Sequence, residues 1–281
     1  MKNASTTNQI KIPYSQTHQL KSKINGIEYE LFIILPPLYN DTQNNYPTIF
    51  TTDPDFILPM LHGIIKSTHS LIPETIIIGI GHADLDFKEL DKKSHNMRLQ
   101  IYRSRDFLPC PLDKSPQYFS HNGPELEAET IKHSGHGPEF KDFITTEVIP
   151  FIDKTYRTNK ERTLIGHSFG AIFASWMMLD FPTFFQNYLL ISPILDFENG
   201  HMFGEIINLS KTLPLKFYLC GGSFEALTSS NKNFLIDLEK FYKQINSSPN
   251  INGKLEIFEG EYHASNVPFG LAKGLRFLCK L

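Results

Sequence analysis

The sequence has few cysteines, and those it has are scattered. Cys110, Cys220 and Cys279 form no CxxC pair, and their number is odd. A disulfide-stapled secreted domain has an even set of cysteines, and a zinc knuckle has paired ones, so both classes are excluded. We interpret the three as small apolar side chains of a core, in a protein of a reducing compartment.

Long apolar runs and an excess of one charge are also missing. No run approaches the ~18 apolar residues of a membrane-spanning helix, and the N-terminal MKNASTTNQ lacks the apolar stretch of a secretory signal. The 27 basic residues nearly balance the 30 acidic ones, for a formal net charge of -3, whereas nucleic-acid binders carry a clustered basic excess. We therefore expect a cytoplasmic protein that binds neither nucleic acid nor membranes. Nothing in the composition indicates an oligomeric state.

Strand-like and helix-like stretches alternate along most of the 281 residues. Runs such as Thr75–Ile80 (TIIIGI) are typical of strands buried on both faces of a parallel sheet, and Phe169–Asp180 is typical of a helix closed by a proline. This alternation predicts an α/β protein, with helices on both faces of a mostly parallel sheet. The extended segments before Asn40 have no helix between them, which predicts an antiparallel edge. No linker or repeat divides the chain, so we expect one domain over residues 1–281.

The segment 86–137 does not follow this alternation. It is polar, contains several prolines and shows weak periodicity. Long irregular stretches inside a compact domain are usually functional, so we expect a lid over a binding site, with a surface excursion of no role as the alternative. The segment that follows, Pro138–Tyr156, has apolar residues at helical spacing, and we expect Pro150 to bend or end that helix.

The strongest chemical signal is the pentapeptide GHSFG at residues 166–170, which fits the pattern G-x-S-x-G. It follows a predicted strand and precedes a predicted helix, which is the arrangement of a nucleophile elbow. In such a turn Ser168 projects its hydroxyl from the strand end, and the N–H of Phe169 points to where an oxyanion forms. We predict that Ser168 is a nucleophile. A glycine-rich turn with a solvated serine is the alternative.

A serine hydroxyl needs a base, and the base needs an orienting carboxylate. In a fold with this elbow the order along the chain is serine, acid, histidine. His201 and His263 both follow Ser168, and we assign His263 as the base because it comes directly after a predicted strand. Glu225 and Asp196 each follow an earlier strand and compete for the role of the acid, and we favour Glu225. A serine–histidine dyad, or another acid, is the remaining alternative.

A second oxyanion donor is expected in the loop after the strand TIFTT. Pro54 has no N–H, so the donor is either Asp55 or Phe56, and we favour Asp55.

These residues and the stretches around them resemble the esterase branch of the α/β-hydrolases. That branch includes esterase D, feruloyl esterases, mycolyl transferases and the trilactone esterases of catecholate siderophores. The likeness covers roughly residues 17–275 and is specific between Phe140 and Pro193; it includes IIIGIG at residues 76–81 and RSRDFLP at residues 103–109. The resemblance implies an α/β-hydrolase fold with Ser168 as nucleophile, His263 as base and an oxyanion donor at Phe169.

Three residues of the predicted lid are candidates for substrate binding. Arg103 and Arg105 could clamp an anionic substrate or act as a buttress between lid and sheet. His136 could line the mouth of the site. The spacing His133-x-x-His136 resembles that of metal ligands, but no carboxylate or cysteine completes a set, so we expect neither a metal nor an organic cofactor.

Together these features predict a hydrolase that cleaves a small-molecule carboxylic ester through an acyl-serine. The alternatives are acyl transfer to an alcohol, hydrolysis of a ferric siderophore trilactone, and a binding module that has lost catalysis. Residues 86–137 carry eight basic and eight acidic side chains, so their charge gives no support to a trianionic substrate. Exposed Arg98, Arg103 and Arg105 near Ser168 would favour the trilactone, and arginines locked into the scaffold would weaken it.

Overall fold

A computed structural model describes residues 11–83, 95–113, 124–197, 214–228 and 232–279 of the chain. Eight strands of these ranges form one sheet. They are β1 Ser15–Lys21, β2 Glu28–Ile34, β3 Tyr46–Thr51, β4 Ile76–His82, β5 Thr158–His167, β6 Asn187–Ile191, β7 Leu215–Gly222 and β8 Ile251–Phe258.

The order of the strands across the sheet is β1-β2-β4-β3-β5-β6-β7-β8. The first three strands in this order pair antiparallel, and every pair from β4 to β8 is parallel. This is the sheet of an α/β-hydrolase fold, and both the mostly parallel sheet and its antiparallel edge are as predicted. The parallel strands bring their carboxyl ends to one edge, where ligand sites of α/β proteins lie.

Nine α-helices of the described residues surround the sheet. They are α1 Pro54–Ser67, α2 His95–Phe107, α3 Pro124–His133, α4 Gly137–Phe143, α5 Ile149–Thr155, α6 Phe169–Asp180, α7 Glu225–Thr228, α8 Phe234–Ile245 and α9 Val267–Leu278. Of the helices in the described ranges, none combines the length and the apolar character needed to cross a membrane.

Alternate residues of the central strands supply two apolar layers, one on each face of the sheet. Ile49 and Ile165 pack with α1 and α9 on one face. Their chain neighbours Phe50 and Leu164 pack on the other face with α4, α5, α6 and α8. Because both faces are covered, the strands carry continuous apolar runs rather than alternating ones. Cys220 is part of the first layer, as predicted for a core side chain.

Three helical features differ from the sequence expectations. Helix α1 is not predicted, since Pro59 interrupts its pattern. Helices α2 and α3 lie in the segment expected to be irregular. Between α4 and α5 the chain makes a π-helical turn, Ile144–Val148, in which the N–H of Ile149 donates to the carbonyl of Ile144. Pro150 has no N–H to continue the regular pattern, so the helix widens by one residue instead of ending at the proline.

The predicted lid, residues 86–137, is described in part, since residues 86–94 and 114–123 lie outside the described ranges. In the described part α2 packs against α3, α4 and α6. Its role as a lid stays a prediction.

The glycines of α9 set how closely that helix approaches the sheet. A β-carbon on Gly274 would lie 2.5 Å from Cδ1 of Leu189, a fully buried side chain. We expect Gly274→Ala to destabilise the fold by about 1–3 kcal/mol through overpacking. Gly63 in α1 has no atom within 4 Å of such a β-carbon, so Gly63→Ala is the matched control and should stabilise by up to about 1 kcal/mol. Urea denaturation measures both changes, and equal effects would contradict the expected close approach of α9.

Candidate active site

Strained turns follow three neighbouring strands at the carboxyl edge of the sheet. Asp53 after β3, Ser168 after β5 and Ser192 after β6 have φ values of 51°, 59° and 50°. Residues other than glycine rarely adopt positive φ, and where they do the surrounding structure must hold them there. Three of the five described non-glycine residues with positive φ therefore lie at this edge of the sheet.

The turn at Ser168 has the geometry of a nucleophile elbow, with φ 59° and ψ -119°. A β-carbon on Gly166 would lie 2.0 Å from the carbonyl oxygen of Gly170, and one on Gly170 would lie 2.2 Å from Oγ1 of Thr52. Only glycine fits these two positions. The N–H of Ser168 donates to the carbonyl of Ile191 at 3.0 Å, which ties the turn to β6. The strand, turn and helix predicted from GHSFG are all present.

The two predicted oxyanion donors lie at helix N-termini, where the helix dipole favours negative charge. Phe169 is the first residue of α6, directly after Ser168. Asp55 lies in the first turn of α1, which begins at Pro54. The amides of Phe56 and Ile57 both donate to the carbonyl of Asp53 at the start of α1. These two hydrogen bonds do not use the N–H of Asp55. The oxyanion role of both donors stays a prediction.

His263 and Glu225 form a hydrogen-bonded pair. Nδ1 of His263 lies 2.6 Å from Oε2 of Glu225, and the carboxylate accepts, so Nδ1 carries the proton. The other ring nitrogen, Nε2, is then bare and able to take a proton. The Glu225 side chain is 3% exposed and that of His263 is 43% exposed. The carboxylate of Glu225 is therefore shielded from solvent, whereas the imidazole ring of His263 reaches solvent.

The second carboxylate oxygen of Glu225 accepts three hydrogen bonds. They come from Oγ of Ser192 at 2.7 Å, from the N–H of Gly222 at 2.7 Å and from Nδ2 of Asn266 at 2.8 Å. A buried carboxylate is costly unless its oxygens are satisfied, and these donors satisfy it. Sequence reasoning missed Asn266 and the role of Ser192. Their only sequence signals are the position of Ser192 after β6 and of Asn266 three residues after His263.

His167 brings His263 next to the elbow. The two imidazole rings lie 4.7 Å apart, and Nε2 of His167 donates to the carbonyl of His263 at 2.8 Å. Burial, the neighbouring His263 and the guanidinium of Arg103 lower the pKa of His167 well below its ordinary value. Since His167 directly precedes Ser168, the structure gathers Ser168, His263 and Glu225 at one edge of the sheet.

Of the two competing candidates, only Asp196 lies in the described part of the chain. Asp196 follows β6 and is half-buried, but the carboxylate on Nδ1 of His263 is that of Glu225. His201 lies outside the described residues. The geometry therefore favours Glu225 over Asp196 as the partner of the histidine.

Arg103 of α2 is held against the β3–α1 turn. Its Nε and Nη2 donate to Oδ1 and Oδ2 of Asp53 at 2.8 and 3.2 Å, and Nη2 also lies 3.4 Å from the carbonyl oxygen of His167. The guanidinium covers the ring of Phe169 at 5.7 Å. Burial raises the pKa of Asp53, and Arg103 opposes that shift. Arg103 is thus a contact between α2 and the elbow, as the buttress alternative expects.

Arg105 is engaged in a similar way. Its guanidinium is buried and pairs with the carboxylate of Asp106. The other oxygen of Asp106 accepts from the hydroxyl of Tyr29 at 2.9 Å and lies 2.7 Å from Nε2 of His82. This cluster joins α2 to the ends of β2 and β4. Substrate binding by Arg103 and Arg105 stays a prediction, and these ion pairs do not favour it.

The two lid histidines pair with carboxylates rather than with each other. Nδ1 of His136, at the start of α4, lies 2.6 Å from Oε2 of Glu139, and both side chains are half-exposed. Nε2 of His133 lies 3.3 Å from Oε2 of Glu129. In the described residues no group of three or more ligating side chains has metal-site spacing. The proposed contact of His136 with substrate stays a prediction.

The sheet order and the elbow after β5 define an α/β-hydrolase fold, and comparisons with known proteins agree. Residues 113–234 match the sequence model of the family described as "Putative esterase". The chain is 25% identical, over an alignment 290 positions long with gaps included, to ferri-bacillibactin esterase BesA of Bacillus subtilis; the alignment covers 98% of this chain and 93% of that protein.

Two solved structures are similar over nearly the whole chain. The BES protein of Bacillus cereus superposes with a TM-score of 0.80 at 24% identity, covering 99% of this chain and all of that one. The siderophore hydrolase EstB of Aspergillus nidulans gives 0.76 at 18% identity, with 98% of each chain covered. These structures confirm the fold. The family match and BesA confirm the predicted resemblance to the esterase branch, and they support a carboxylic-ester hydrolase.

The lowered pKa of His167 predicts that the free energy of unfolding depends on pH. A neutral buried histidine binds fewer protons than the same residue in the unfolded chain, so the free energy of unfolding falls as the pH drops below about 6.5, by up to about 1.4 kcal/mol per pH unit. We expect His167→Gln to remove this contribution, so that the variant loses less stability than wild type between pH 7.5 and 5.5. Urea denaturation at both pH values measures it, with His69→Gln on the exposed surface as control. Parallel losses in wild type and His167→Gln would show that His167 is protonated in the fold.

Proposed function

We propose that the chain hydrolyses its ester through an acyl-enzyme on Ser168, with His263 as general base and Glu225 as the acid that orients it. The observation that carries the proposal is the pair Glu225–His263, whose bare Nε2 belongs to a ring packed beside the elbow. Glu225 holds the proton on Nδ1 and stabilises the imidazolium that forms when Nε2 takes a second one.

In the first step Nε2 of His263 takes the hydroxyl proton of Ser168 while Oγ bonds to the carbonyl carbon of the ester. The carbonyl electrons move onto oxygen, and the N–H groups of Phe169 and Asp55 are proposed to stabilise that oxyanion. When the intermediate collapses, the C–O bond to the alcohol breaks and His263 returns its proton to the leaving alkoxide. Water then repeats the sequence on the acyl-serine. The exposure of His263 supports water, rather than a second alcohol, as the acceptor.

The choice of Glu225 can be tested against Asp196 in matched variants. Glu225→Gln keeps the shape of the side chain but removes the charge that stabilises the imidazolium. We expect kcat to fall by about 10²–10⁴-fold. Asp196→Asn should leave kcat within about twofold of wild type, because another carboxylate holds the histidine. Hydrolysis of p-nitrophenyl acetate measures both, and a larger loss in Asp196→Asn would reverse the assignment.

We propose a siderophore ester as the physiological substrate. The likenesses to BesA and EstB support this, since they cover nearly the whole chain and both names concern siderophores. Exposed aromatic rings beside the site add support: Phe56 lies 5.7 Å from the ring of His167, and Tyr262, 48% exposed, directly precedes His263. Such faces suit a substrate that carries aryl groups. Arg103 and Arg105 are engaged in ion pairs, which weakens the electrostatic argument for a trianionic trilactone, so the proposal rests on the likenesses and the aromatic rings.

A substrate comparison tests this proposal. We expect kcat/KM for a catecholate trilactone, iron-free or ferric, to exceed that for p-nitrophenyl esters of two to eight acyl carbons by at least about 100-fold, or about 2.7 kcal/mol of differential transition-state binding. Ser168→Ala should lose activity on both substrate types. Turnover of the p-nitrophenyl esters alone would leave a general carboxylesterase, the candidate that the sequence ranked first.

A further inference from the structure

We infer that His167 is a positioning residue, whose Nε2–H holds the backbone of His263 beside the strand that carries Ser168. The inference rests on the proposed function, in which His263 acts on Ser168. It assigns a role to a residue of the elbow that the proposed chemistry does not use.

The contact is a directed hydrogen bond. Nε2 of His167 lies 2.8 Å from the carbonyl oxygen of His263. A carbonyl only accepts, so Nε2 of His167 carries the hydrogen. The two imidazole rings pack at 4.7 Å with an angle of 42° between their planes. His167 is therefore joined to Ser168 by a peptide bond and to the proposed base, His263, by a hydrogen bond.

The loop of His263 lies between β8 and α9, outside regular structure, and the side chain of His263 is 43% exposed. Asn266 also donates to the carbonyl of His263, at 3.2 Å. Through its bonds to Ser192 and Glu225, Asn266 ties the loop to the ends of β6 and β7. His167 is the residue that ties the carbonyl of His263 to β5, the strand that leads into Ser168. We therefore assign to this bond the position of the loop relative to Ser168.

His167 is itself fixed and uncharged. It is buried, the ring of Phe56 packs at 5.7 Å, and its own carbonyl lies 3.4 Å from Nη2 of Arg103, which is paired with Asp53. The charged or titratable groups that face it are His263 and Arg103, and with burial they keep it neutral. A neutral donor adds no positive charge beside His263 when that ring becomes an imidazolium.

Three variants separate the donor from the ring. His167→Gln offers an amide N–H at nearly the same reach, His167→Phe keeps a flat ring without a donor, and His167→Asn has a donor that is too short. Displacing a catalytic group by ~1 Å can cost about 10²-fold in rate. We expect kcat for p-nitrophenyl acetate to fall at least about tenfold in His167→Phe and His167→Asn, with KM within about threefold of wild type. His167→Gln should stay within about threefold of wild type in kcat.

Active-site labelling completes the test. Fluorophosphonate should label Ser168 in every variant, more slowly in His167→Phe and His167→Asn. Wild-type kcat in His167→Phe would overturn the inference, as would equal losses in His167→Phe and His167→Gln when circular dichroism shows both folded. No adduct on Ser168 of the wild-type protein would defeat the proposed function instead.

Discussion

The close approach of β5 and α6 is the constraint on which the site depends. The carbonyl of Gly170 lies where a side chain at position 166 would begin, and the backbone of Ser168 is held at positive φ between them. Helix α6 is buried along nearly its whole length, so it has no room to relieve that strain by moving outward. The strain at Ser168 is therefore sustained by the packing of α6 in the core, together with the hydrogen bond from the Ser168 N–H to Ile191.

The carboxylates at the carboxyl edge are paired or hydrogen-bonded by the protein's own groups. Glu225 receives four hydrogen bonds, Asp53 is clamped by Arg103, and Asp106 meets Arg105, His82 and Tyr29. Two of these three clusters come from α2, so that helix stabilises the edge of the sheet instead of presenting free cations. Selectivity for an anionic substrate, if it exists, depends on other groups than these two arginines.

The sequence predicts those parts of the site that depend on local sequence patterns and on the order of residues along the chain. The elbow is a pentapeptide between a strand and a helix, and Glu225 and His263 follow from the chain order of such folds. The bonds of Arg103 to Asp53 and of Asn266 to Glu225 join residues 50 and 41 positions apart, and no periodicity or spacing encodes a pair that distant. The sequence analysis did not predict helices α1 and α2, for local reasons. Pro59 interrupts the sequence pattern of α1, and α2 is polar along most of its length.

The strand order also determines when the residues of the proposed mechanism can come together. His167 and His263 are 96 positions apart, and Glu225 lies 38 positions before His263. On the ribosome the serine turn emerges well before β8 and the loop that follows it, and non-local contacts of this kind form late in folding. In the proposed mechanism, a nascent or C-terminally truncated chain carries Ser168 without its proposed base. On that proposal the completed fold and esterase activity are acquired together, so an incomplete chain does not hydrolyse esters.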